Sequence, residues 1–96
     1  MYARIVKLNF MNDFSKQAAS SLLVELGKTK GFAAGMLFRL SVDISATQRY
    51  SMTVWRDKTS EEKSWKLFSE GVLKKLSETE ARVEISRGKI NKMQIS

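Results

Sequence analysis

Along this chain the spacing of apolar residues switches from two to four and back to two, twice over, and that order restricts the fold more than any single motif. Residues 2–10 alternate, with Tyr2, Val6, Leu8 and Phe10 on one face and Ala3, Ile5, Lys7 and Asn9 on the other, the period of a β-strand. Phe14, Ala18, Leu22 and Leu26 then recur every fourth residue, which predicts a helix with one buried stripe. Asn12 or Asp13 can cap its start, because a short polar side chain accepts the first free N–H groups of a helix. Gly27 and Gly31 bracket its exit, with Lys28 and Lys30 beside the negative helix end. Alternation resumes over residues 32–42, with Phe32, Ala34, Met36, Phe38, Leu40 and Val42 on one face and Leu37 opposite. A short polar connection at 43–48 leads to a third alternating stretch over 49–56. Thr59 and Glu62 have the spacing of a capping box, and the helix they open places Trp65, Phe68, Val72 and Leu76 on one face, with a break or kink at Gly71. Val83 and Ile85 mark a last strand, and residues 86–96 read as its end and a basic tail.

Strand, helix, strand, strand, helix, strand in 96 residues predicts one α+β domain of split β-α-β order, spanning 1–96, with both helices on one face of an antiparallel sheet. Two helices cover only one face. Bulky apolar residues nevertheless stand on both, as Ile5 does against Val6, Leu37 against Phe38, and Trp55 against Val54. A bare apolar face larger than monomers tolerate predicts a homodimer. The competing expectation is that Ile90, Met93 and Ile95 of the tail fold back over it.

The residue inventory removes several chemistries. There is no cysteine and no histidine, so a thiolate nucleophile, a disulfide, a Ser-His-Asp triad and the usual zinc ligand sets are excluded. Arg4 and Lys7 interrupt the first apolar stretch, so it does not read as a signal peptide, and no run reaches the roughly 20 apolar residues that span a bilayer. A cytoplasmic protein with no metal and no membrane partner is the expectation. The net charge of +7 is dispersed, with its densest part around Arg87, Lys89 and Lys92, which favours anionic ligands in general.

Three local signatures resemble those of the dimeric α+β barrel family of antibiotic-biosynthesis-monooxygenase-like proteins. Gly31 and Phe32 open the second strand after a glycine-ended helix. Val54, Trp55, Arg56 and Asp57 close the third strand just before a capped helix. Trp65 lies in the middle of that helix. The resemblance implies a ferredoxin-like fold paired into a dimeric barrel, and a pocket to which Trp65 and Asn9 contribute. Haem-degrading relatives ligate iron through a histidine after the second helix. Here that region offers Leu73, Lys74, Lys75 and Leu76, so haem is not implied and no cofactor is expected.

Taken as an enzyme, the chain would be a cofactor-independent monooxygenase acting on a small planar organic substrate. Asn9 is the candidate catalytic residue, donating to a developing oxyanion, and Trp65, Phe68, Phe32 and Trp55 are the candidate pocket. Against these stand a strand-end role for Asn9 and a core role for Trp65 and Trp55. Arg56 and Arg82 could hold an anion, whereas Glu61, Glu62 and Lys63 read as solvated first-turn charges. The second function class is a non-enzymatic module that holds a small molecule. The third is RNA binding, because Lys30, Gly31, Phe32 and Ala33 match the start of the RNA-recognition signature. Ala34 and Gly35 then fall where stacking residues are required, so nucleic acid is not the expected partner.

Overall fold

A computed structural model describes residues 1–95. The order is β1 (Tyr2–Asn9), α1 (Asp13–Gly27), β2 (Met36–Ser45), β3 (Gln48–Trp55), α2 (Lys58–Gly71), α3 (Leu73–Glu78) and β4 (Arg82–Lys89). All strand pairs are antiparallel and the spatial order is β2-β3-β1-β4, the α+β ferredoxin-like arrangement. Residues at opposed positions share a face. Arg4, Val6 and Leu8 therefore lie with Thr53, Ser51 and Arg49 under the helices, and Ile5 lies with Met52 on the outer face.

The core forms between that inner face and the helices. Val6, Leu8 and Phe10 of the first strand and its exit meet Ala19 and Leu26 of α1, Phe68 of α2 and Leu76 of α3. Leu8, Trp55 and Leu76 are fully buried, and each such side chain contributes about 2–3 kcal/mol relative to an exposed one. The helix breaks after Gly71 and resumes at Leu73, and this bend lets Leu76 join the core. No helix among the described residues is long and apolar enough to cross a membrane.

Four local expectations change. The buried stripe of α1 is Ser15, Ala19 and Leu26, with Leu22 and Leu23 partly buried, and Phe14 is 82% exposed. Asn12 caps the helix by accepting the Ser15 N–H at 2.8 Å, which rotates the first turn so that Ser15 faces inward and donates to Thr79 O. At α2 the cap is Asp57, whose carboxylate accepts the Ser60 N–H at 2.7 Å, so the Thr59–Glu62 capping box does not form. Strand β2 begins at Met36 and not at residue 32, because Gly31 and Gly35 take positive φ and fold the intervening residues into turns. At Gly35 a side chain would run into Ser60 at the start of α2, so glycine there permits the close approach. The hairpin is also tighter than expected, with both strands extending to a turn at residues 46–47.

The outer face carries Ile5, Phe38, Leu40, Val42, Met52 and Val54, and Phe38, Leu40 and Val42 are each about half exposed, at 50%, 46% and 42%. The tail does not cover it. Ile95 is 86% exposed and residues 90–95 form no strand.

Candidate functional site

Between the inner face of the sheet and the helices lies a narrow cleft with about 40 Å³ of free volume, open to solvent on one side. Its apolar wall consists of Val6, Leu8, Leu23, Leu26, Phe32 and Phe68. The polar remainder is Arg4, Arg39, Ser51 and Thr53, all from strands. Phe32 reaches the cleft from the turn that replaces the start of the expected strand, held at 6.3 Å and 90° to the Trp55 ring. Phe68 stacks on Trp65 at 5.6 Å.

Beside the cleft is a buried charge cluster. Arg4 Nε donates to Glu61 Oε2 at 2.8 Å, and Arg4 Nη2 donates to the Glu61 backbone carbonyl at 3.1 Å. From the other side Arg87 grips the same carboxylate through Nε and Nη2, at 2.8 and 2.6 Å. Glu61 is completely buried and Arg4 is 2% exposed. The expectation of a solvated Glu61 is therefore overturned. The first turn of α2 packs on β1, and two guanidinium groups make burial of the carboxylate tolerable. Glu62, by contrast, does face outward, near Lys58.

Burial alone would push the Glu61 carboxyl up. Hydrogen bonds from Arg87 and Arg4 outweigh it and hold the group below the usual glutamate range. Such a carboxylate is a poor proton acceptor, so Glu61 is not equipped to act as a base. Desolvation lowers Arg4 from its ordinary value against the opposing bond to Glu61. Its guanidinium also lies over three rings, 5.1 Å from the centre of Trp55, 5.7 Å from Trp65 and 5.9 Å from Phe68.

The structure separates the residues singled out in the sequence. Phe32 and Phe68 line the cleft. Trp55 and Trp65 stand one layer back and reach it through Arg4, while Trp65 also carries Arg87 at 4.5 Å over its ring. Trp55 donates its Nε1–H to Thr53 Oγ1 at 3.0 Å. Asn9 is on the opposite side of the sheet, paired with Gln48 and Arg82, and does not line the cleft. Its placement there follows from parity, since the inner face of β1 holds the even-numbered residues. Arg56 lies in a shallow surface recess with Tyr2, Lys58 and Lys89. No group of three or more metal-ligating side chains occurs among the described residues.

No protein-family model matches the chain, and no curated protein matches it significantly in sequence. Solved structures do match. A proposed antibiotic biosynthesis monooxygenase from Deinococcus radiodurans superposes with a TM-score of 0.80 at 13% identity, covering 100% of this chain and 98% of that one. A dimeric ferredoxin-like protein from an uncultured marine organism gives 0.74 at 12% identity, with 98% and 97% covered. SnoaB, a cofactor-independent oxygenase from Streptomyces nogalater, gives 0.63 at 8% identity, with 96% and 94% covered. At these identities the likeness establishes a shared antibiotic-biosynthesis-monooxygenase-like, ferredoxin-like fold.

Proposed function

We propose that this chain, which has the antibiotic-biosynthesis-monooxygenase-like fold, is a cytoplasmic homodimer that acts as a cofactor-independent monooxygenase on a small planar organic substrate held in the sheet–helix cleft. The observation that carries the reading is Arg4, a buried guanidinium at the wall of an apolar cleft that Phe32 and Phe68 flank. In this chemistry the substrate supplies the electrons. A planar carbon acid loses a proton, its carbanion passes electrons to dioxygen, and the resulting peroxide loses water to leave a carbonyl. One CH₂ and one O₂ thus become one C=O and one H₂O. The protein's part is to desolvate the substrate, orient it and favour its anion, which a fixed positive charge in a low-dielectric site does. The fold shared with SnoaB supports the same reading.

Self-association is supported by the apolar outer face and by the dimeric state of the marine ferredoxin-like neighbours. That face carries aliphatic Ile5, Met52 and Val54 at its centre, which suits a second protein surface better than stacked bases.

One observation favours a second reading, a binding module without turnover. The carboxylate nearest the cleft, Glu61, is locked by two arginines and offers no base. Oxygen uptake with anthrone, a planar carbon acid, separates the two. The oxygenase reading predicts accelerated consumption of one O₂ per anthrone, with anthraquinone as product. Binding without acceleration, across anthrone and related carbon acids, would leave the binding module.

A further inference from the structure

One row of side chains runs straight across the helix-covered face of the sheet. From β4 to β2 it reads Arg87, Arg4, Thr53, Arg39. Glu61 descends from α2 onto one half of this row, between Arg87 and Arg4. The other half, Thr53 with Arg4 and Arg39 on either side, is the half that lines the cleft. No acidic side chain lines that cleft, and Arg39 makes no ion pair among the described residues.

Three donor side chains line that half of the row. Arg4 spends Nε and Nη2 on Glu61, which leaves Nη1 for another acceptor. Thr53 Oγ1 already accepts the Trp55 Nε1–H, so its own hydroxyl proton is free to be donated elsewhere. The Arg39 guanidinium reaches from β2 across to the end of α1, where Nη1 lies 3.8 Å from the position a Cβ on Gly27 would take. Neighbouring strands are about 4.8 Å apart, so a carboxylate above Thr53 lies within reach of both flanking arginines.

We propose that the cleft selects a small planar organic anion, its carboxylate seated over Thr53 between Arg4 and Arg39 and its ring against Phe32, Phe68 and Leu26. The ligand's charge does for Arg4 and Arg39 what Glu61 does for Arg87 and Arg4. Two guanidinium groups sharing one buried carboxylate leave a surplus positive charge, and a partly desolvated surplus is neutralised most favourably by an oxyanion that accepts several N–H and O–H bonds at once. The depression of Arg4 by burial agrees with that incomplete compensation. This proposal rests on the cleft being the ligand site and adds the charge class of the ligand.

The test is calorimetric titration of the intact protein with 2-naphthoate and with its neutral isostere 2-naphthamide, for wild type and for Arg39→Gln. Arg39 is exposed and unpaired, so the variant keeps its fold. The acid should bind about tenfold more tightly than the amide, and Arg39→Gln should cut that preference by about threefold or more. Equal binding of acid and amide overturns the anion site while leaving the cleft as a ligand site. An undiminished preference in Arg39→Gln overturns the placement beside Arg39. Failure of both compounds to bind overturns the cleft reading itself, and this proposal with it.

Discussion

Arg4 Nε and Glu61 Oε2 lie 2.8 Å apart in the interior, although 57 residues separate them in the chain. This pair joins the first turn of α2 to the middle of β1 and sets one wall of the cleft. Its energetics are asymmetric. A buried pair adds little net stability over an apolar one, whereas removing one member strands the other without a partner. Glu61→Gln should therefore cost about 3–5 kcal/mol in urea unfolding. The double variant Arg4→Met, Glu61→Leu should cost less than that single change, since Arg87 is partly exposed and can be solvated. A double variant that costs more than Glu61→Gln alone would contradict this asymmetry.

The same carboxylate sets an acid limit. Glu61 titrates below the ordinary glutamate value of about 4.3 when folded, so its contribution is complete above that pH and disappears as the pH falls through the lower folded value. Asp43, bonded by Arg49, and Asp57, bonded by the Ser60 N–H, are depressed as well and act in the same direction. Unfolding free energy measured against pH should decline below about pH 4.3. In Glu61→Gln the slope of that decline should be smaller. An identical slope in the variant would place the acid sensitivity elsewhere.

Asp57 and Thr59 compete for the role of cap at α2, and the structure gives it to Asp57. Asp57→Ala should destabilise by about 1 kcal/mol and Thr59→Ala by less than about 0.5 kcal/mol. The reverse order in thermal melts would restore the capping box.

The outer face predicts its own partner. Leu40 is 46% exposed in the single chain, so Leu40→Glu should leave the far-UV circular dichroism unchanged. In sedimentation equilibrium the wild type should behave as a dimer and Leu40→Glu as a monomer. A monomeric wild type would contradict self-association through this face.

Much of the fold was legible because hydrophobic period and glycine position are local signals. The order of strands and helices and the apolar outer face follow from spacing, and the break at Gly71 follows from the glycine. Local signals failed where a cap rotated a helix, as Asn12 does in placing Ser15 inward and Phe14 outward. They failed again at residues 32–35, where two glycines with positive φ override an alternating pattern. The charge cluster leaves a trace in the sequence. Arg4 is in phase with Val6 and Leu8, Glu61 lies one turn before Trp65 on the stripe of α2, and Arg87 is in phase with Val83 and Ile85. Three charges in three apolar phases are a sign of a buried network. Which of them meet depends on the order β3-β1-β4, and pairing of that kind is not written in any one segment. Parity likewise places Asn9 on the outer face. Its resemblance to a pocket asparagine is one of position along the strand and not of the face it occupies.

Both the oxygenase and the binding-module readings require a small planar molecule to occupy the cleft between sheet and helices. Amide chemical-shift mapping with 1-naphthol, a neutral planar probe, tests that occupancy most directly. Perturbations should concentrate at Phe32, Ser51, Thr53 and Phe68, with Asn9 and Val42 unmoved. Perturbations centred on Asn9, Tyr50 and Val42, or spread evenly with no saturation, would contradict it.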